Sequence, residues 1–168
     1  AYAGDALTTG SYNTAIGYIA LSTVSTGTDN TAVGREALRD NTGDDNTAVG
    51  KEALKLNSTG ANNTAVGNHA LNAMTTGDSN TAVGSLALDA TDDGASNTAI
   101  GYAALSANCG DANTGIGMNG LEVCTGGTNS SLGYNSGRQI TSGANNLALG
   151  FDSLRTGSPG GAQTTASN

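Results

Sequence analysis

Residues 29–38 read DNTAVGREAL, and residues 45–54 read DNTAVGKEAL. The stretch is small, polar and without a residue type that does chemistry unaided. With small variations it returns at seven other places. The Asn that opens it falls at Asn13, Asn30, Asn46, Asn63, Asn80, Asn97, Asn113, Asn129 and Asn146, a period of 16 or 17 residues. The consensus is N-T-A-[VI]-G-x-x-A-L, then about five polar residues, a Gly and two or three small polar residues. Self-similarity at a fixed period of this kind governs the fold ahead of any local propensity.

Composition taken alone points the other way. Ile, Leu, Val and Phe total 26 of 168 residues, and the net charge is -8. So few large apolar residues with that charge describe a chain unable to bury a core. Regular spacing overturns this, because stacked copies can share one thin core. The acidic balance, with six Lys plus Arg, argues against a nucleic-acid partner. No apolar run approaches the roughly 20 residues of a membrane span. No basic segment followed by an apolar one precedes the first repeat, and a start at Ala1 fits a processed or excised chain.

Helices are disfavoured by the Gly inside the only apolar stretch. Thr-Ala-Val-Gly alternates as a short strand does, with Thr and Val on one face and Asn, Ala and Gly on the other. One such strand per coil predicts an all-β fold, a parallel β-solenoid (β-roll) of about ten coils over residues 1–154. Nine coils are full repeats, and Ala1-Tyr2-Ala3-Gly4-Asp5-Ala6-Leu7 is a truncated tenth. At about 4.8 Å per coil the rod is roughly 45–50 Å long. The expected core has two columns. One is Ile16, Val33, Val49, Val66, Val83, Ile100, Ile116, Leu132 and Leu149; the other is Leu21, Leu38, Leu54, Leu71, Leu88, Leu105, Leu121 and Leu154, with Gly137 replacing Leu once. The Asn column is expected to form a side-chain amide ladder. Gly at the strand end suits a corner with positive φ or close backbone approach, and a second Gly column from Gly27 to Gly143 marks another corner. Residues 155–168 form a Gly/Ser/Thr-rich segment whose final Ala-Ser-Asn matches Ala95-Ser96-Asn97, which suggests an end-to-end joining segment.

The motif N-T-A-[VI]-G with its following A-L, over about residues 1–154, resembles the head repeats of trimeric autotransporter adhesins. It is also similar to repeats of bacteriophage tail fibres. The resemblance implies a left-handed parallel β-roll that assembles as a trimer. No binding residue is carried over from it.

Cys109 and Cys124 lie four and five residues before the next Asn, nearly in register on adjacent coils. Stacking brings such Cα atoms within disulfide reach, and closing that loop contributes roughly 3 kcal/mol. A disulfide is expected, and with it an extracellular setting; the alternative is two free thiols. His69, the sole histidine, reads as a surface residue. Asp29, Asp44, Asp45, Asp78, Asp92, Asp93 and Asp111 read as turn residues rather than as a calcium site, since the calcium nonapeptide is absent. Tyr18, Tyr102, Tyr134 and Phe151 follow the strand Gly and face outward or a partner. Asn57, Asn62 and Asn129 begin N-x-[ST] triplets expected by chance.

The leading function is therefore a structural or adhesive extracellular fibre module, a solenoid that assembles side by side or head to tail. Its expected partners are copies of itself and a host-surface or glycan ligand, with no cofactor, metal, nucleic acid or membrane insertion. Two other classes compete. The Thr column from Thr14 to Thr114 suggests ice binding, but sharing a face with Val it is expected to point inward. Each repeat also fits one hexapeptide of the left-handed helix acyltransferases, [LIV]-G-x-x-A-x, where three per coil are needed; an enzyme is not expected.

Overall fold

A computed structural model describes residues 3–5, 9–23 and 26–154. Every repeat forms a three-residue strand: β1 (Thr14–Ile16), β2 (Thr31–Val33), β3 (Thr47–Val49), β4 (Thr64–Val66), β5 (Thr81–Val83), β6 (Thr98–Ile100), β7 (Thr114–Ile116), β8 (Ser130–Leu132) and β9 (Leu147–Leu149). They form one parallel sheet in sequence order. Its register is that of the repeat, with Thr31 on Thr47, Ala32 on Ala48 and Val33 on Val49. The chain is a β-solenoid, and nine strands enclose eight full turns against the ten coils counted from sequence. Part of the truncated first repeat does stack, since Gly4 N–H donates to Ala20 O at 2.9 Å and Ala3 packs against the core. The remainder of that repeat and the joining segment, residues 155–168, lie outside the described residues.

The parity of the strand is set by asparagine. Asn30 donates its backbone N–H to Asn13 Oδ1 of the coil before, at 2.9 Å, and its own Nδ2 to Gly43 O of the coil after, also at 2.9 Å. The same pair of bonds recurs at Asn46, Asn63, Asn80, Asn113 and Asn129. These side chains, with Asn97, are fully buried. The expected amide ladder thus exists in part: the Nδ2 of Asn80, Asn113, Asn129 and Asn146 also donates to the Oδ1 of the coil before (Asn80 to Asn63, 3.1 Å), while Asn97 Nδ2 is buried without a partner. Backbone groups in a dry interior need partners, so Asn must point in.

Since side chains alternate, inward Asn brings strand Ala in and sends Thr and Val out. The core column assigned to Ile16, Val33, Val49, Val66, Val83, Ile100, Ile116, Leu132 and Leu149 is therefore corrected: it lines the outside. Ile16 is 60% exposed, Val66 37% and Leu149 61%, with Val33 and Ile116 half-buried. The expected Leu column holds, with Leu21 through Leu121 fully buried and Leu154 half-buried at the last coil. Around it pack the strand Ala of β2 to β6 and β9, and the Ala preceding Leu in coils such as Ala37 and Ala53. In the coils of β2 to β6 one Leu and two Ala, with the ladder Asn and one further buried residue past the Leu, fill the interior. Where Gly137 replaces Leu, Ile140 closes the gap, its Cδ1 3.2 Å from where a Cβ at 137 would lie.

Both glycine columns are demanded by close approach. A Cβ on Gly34, at φ 136°, would sit 2.4 Å from Gly50 O; one on Gly27 would sit 2.1 Å from Gly43 O. Three further positions per coil adopt left-handed backbone without glycine, as at Asp29, Glu36 and Leu38 (φ 57°, 57° and 49°). Each costs about 1–2 kcal/mol. The conformation aims their N–H groups along the axis: Asp29 to Ser11 O, Glu36 to Tyr18 O and Leu38 to Ala53 O, at 2.9–3.0 Å.

Asn63→Ala is expected to leave Asn80 N–H and Gly77 O buried without partners and to cost roughly 2–4 kcal/mol in denaturant unfolding. Val66→Thr, on the outside, should change stability by less than about 0.5 kcal/mol. Equal effects would contradict the parity described.

Candidate interaction face

The outer surface of the sheet carries two parallel columns. The first is Thr14, Thr31, Thr47, Thr64, Thr81, Thr98 and Thr114, continued by Ser130 and Leu147. The second is the displaced Ile16-to-Leu149 column. The inward direction expected for Thr is thus also corrected, because Thr follows Val outward. No strand residue on this face is charged. Strand pairing holds the columns about 4.8 Å apart from coil to coil, which gives an even, uncharged face nine strands long.

The columns flanking the face differ along the axis. After the strand Gly, the second and third coils carry Arg35 and Lys51, whereas later coils carry Tyr102, Met118, Tyr134 and Phe151. All four apolar residues are exposed, as expected for this column, and Phe151 is 75% so. Tyr134 and Phe151 stack with centroids 5.4 Å apart and planes 10° from parallel. Their mutual stacking occupies one face of each ring.

Beside Arg35 and Lys51 sits an ion-pair network over three coils. Glu52 receives Lys55 Nζ at 3.1 Å, Lys51 Nζ at 3.3 Å and Arg35 Nη2 at 3.3 Å. The Lys55 hydrogen bond leads in pulling the Glu52 carboxyl down to about 2, with Lys51 adding to it. His69 joins this network, its Nδ1 3.9 Å from Glu52 Oε2.

The acidic loop residues have a structural use that spacing did not reveal. Asp44 Oδ1 accepts the N–H of Thr28, Asp78 Oδ1 that of Ala61, and Asp111 Oδ1 that of Ala95, each one coil back, at 2.7–2.9 Å. Among the described residues no three metal-ligating side chains come together. Of the three glycosylation triplets, Asn57 and Asn129 are buried and Asn62 is exposed.

The disulfide expected between Cys109 and Cys124 is not formed, and both are free and buried. Each sulfur is engaged elsewhere: Cys109 Sγ lies 3.3 Å from Thr91 Oγ1 of the preceding coil, and Cys124 Sγ accepts Asn129 Nδ2 at 3.3 Å. They belong to an inner column three or four residues past Leu, with Asn41, Asn57, Met74 and Thr91, all buried. Sequence reading missed this column because its residue types share neither polarity nor shape. Their spacing from Leu was the available signal.

Compared with protein-family models, curated proteins and solved structures, the chain matches none. Among the described residues no helix is long and apolar enough to cross a membrane.

Burial pushes the Cys109 thiol up to about 11 and that of Cys124 upward as well. Thiolate is the reactive form, so the folded chain should resist an aromatic disulfide reagent at neutral pH and release two equivalents once unfolded. Since the folded Cys109 keeps its proton longer than an unfolded thiol would, stability should be undiminished below pH 9 and fall between pH 9 and about 11. Rapid labelling of native protein at pH 7 would contradict the buried placement.

Proposed function

We propose that the chain is a structural, adhesive module of an extracellular fibre, associating side by side with copies of itself through the Thr/Val face. One observation carries this reading. The β-branched and aliphatic residues of every strand face outward, while the interior is filled by Ala, Leu and Asn. A continuous exposed apolar column is unusual on a lone soluble chain and marks an association surface. A chain with so little apolar residue gains by burying that column against another copy. The motif's resemblance to adhesin heads and tail fibres points the same way, as does the even spacing that lets two rods mate along their length.

The test is sedimentation equilibrium over a concentration series. The 16.4 kDa chain should form a defined oligomer, and Val49→Lys, Val66→Lys and Val83→Lys together should return it to single chains with β-sheet circular dichroism intact. A parent chain that sediments as a monomer throughout removes the reading.

The outward Thr column favours a second use of the same face, adsorption to ice, where methyl and hydroxyl groups repeat at fixed intervals on a flat surface. If ice is the target, a monomeric chain shows thermal hysteresis, and Thr47→Lys with Thr64→Lys abolishes it. Absence of hysteresis and of crystal shaping in the parent chain ends this alternative.

A further inference from the structure

We infer that the solenoid consists of two cooperative units that part between β6 and β7. The coils of β7 to β9 release and re-seat together, while those of β2 to β6 stay closed. The interior carries the first difference. In the coil of β3 the three core positions hold Ala48, Ala53 and Leu54, all fully buried, and the coils of β2, β4, β5 and β6 repeat that set. In the coil of β7 the two Ala are replaced by Gly115 and Gly120, and in that of β8 the three positions are Ser131, Ser136 and Gly137. Ile140 returns part of the lost carbon. Leu105 closes on the space at Gly115, its Cγ 3.1 Å from where a Cβ would lie. Less apolar surface is still buried per coil from β7 onward. In a stack where each coil touches only its neighbours, that lowers stability locally.

The junction between β6 and β7 also breaks the ladder. From Asn30 to Asn129, every other ladder Asn donates Nδ2 to a corner carbonyl of the coil after. Asn97 Nδ2 is buried without a partner. The acceptor it lacks is Gly110 O, which takes Asn113 Nδ2 at 3.0 Å instead. A Cβ on Gly94 would meet Cys109 O at 2.4 Å and Gly110 O only at 3.1 Å, so the corner of the β7 coil is displaced by one residue. The next approach is looser too: a Cβ on Gly110 would lie 3.4 Å from Gly126 O, against 2.1 Å for Gly27 on Gly43 O. Two buried oxygens among the earlier coils, Asn57 Oδ1 and Asp89 Oδ1, also lack partners. Unpaired groups alone therefore do not separate the two parts; the missing carbon and the displaced corner do.

Side-chain bonds gather within each part. In the coils of β2 to β4, Lys55 Nζ lies 2.9 Å from Glu36 Oε2, and Asn72 Nδ2 donates to Glu52 O at 3.0 Å. In the coils of β7 to β9, the second residue after the strand Gly is Asn119, Asn135 and Asp152 in turn. Asn119 Nδ2 donates to Asn135 Oδ1 at 3.0 Å, and Asn135 Nδ2 to Asp152 Oδ1 at 2.9 Å. Arg138 pairs with Glu122, and the Ser136 and Ser153 hydroxyls meet at 2.9 Å. The coil of β6 has Ala103 at the same position, which offers Asn119 no side-chain bond. Strand pairing, Asp111 Oδ1 on Ala95 N–H, Asn113 Nδ2 on Asn97 Oδ1 and Ser106 Oγ on Glu122 O still cross the junction, and they give the released unit a surface to return to. The apolar border residues Met118, Tyr134 and Phe151 ride on the releasable unit, whereas Arg35 and Lys51 belong to the firm one. The later part of the outward face is thus the adjustable part.

The experiment is native-state hydrogen exchange of the full chain at low denaturant, read by mass spectrometry of proteolytic fragments. Amides in the coils of β7, β8 and β9 should share one opening step and exchange roughly tenfold or more faster than those of β2 to β6. Protection that is equal throughout, or that declines coil by coil toward β9 with no step after β6, overturns the inference. As a second measurement, interior carbon is put back by Gly120→Ala with Ser131→Ala. The two are changed together because a Cβ at 120 would lie 3.0 Å from Ser131 Oγ. Exchange should slow by roughly tenfold in all three coils from β7 to β9 and stay unchanged in β2 to β6. Slowing that is absent in folded protein, confined to the two substituted coils, or spread evenly over the rod also overturns it.

Discussion

A buried asparagine that bridges two coils is the constraint on which the rest of this solenoid depends. The amide is one of few side chains able both to accept and to donate, and here it accepts from the next Asn N–H and donates to the next corner carbonyl, except at Asn97, whose Nδ2 has no partner. Leaving either group unpaired in the interior costs about 1–3 kcal/mol, repeated at every coil. Burial of one Val gains about 1.5–3 kcal/mol, so an inward Val with outward Asn would forfeit more than it recovered. The corner glycines follow from the same bond, because the carbonyl that receives Nδ2 must come within 2.1 Å of a Cβ position.

With the strand's inward face taken by Asn and by Ala or another small residue, the Val, Ile and Leu of the strands point outward. The surface then inherits a periodicity imposed by the inside. Each outward row is free to vary at its two borders, where neither Asn nor Gly constrains the residue, and there the chain places aromatic bulk in the first coil and the last ones and charge in the second and third. Shape and charge along the rod are thus written by the two least constrained positions of the repeat.

The architecture was legible because period and alternation are carried by identical residues in identical places. The number of turns was nearly legible, and the Leu column fully so. Parity was not. Thr-Ala-Val presents two apolar faces of different size, and the rule that larger apolar residues go inside chooses the wrong one. The Asn already stood on the Ala face in the sequence, and weighing its hydrogen bonds above the volume of Val would have settled the matter. The Cys pair failed for a related reason. Register along the chain was nearly right, but the direction of each sulfur is decided by Thr91 and Asn129, which lie outside any two-residue spacing rule. The left-handed positions at Glu36, Leu38 and their equivalents were hidden because ordinary side chains occupy them.

Those left-handed positions carry a mechanical consequence. Their strain is offset by N–H bonds to adjacent coils and, at the Leu positions, by burial in the shared core, so a coil pulled away from its neighbour loses both. Tension applied along the rod opens the inter-coil bonds a few at a time from one end, because each coil is held only by the next. Every coil released yields roughly 55 Å of extended chain where it had occupied about 5 Å. A rod of this design therefore has about tenfold of extra length stored in its coils.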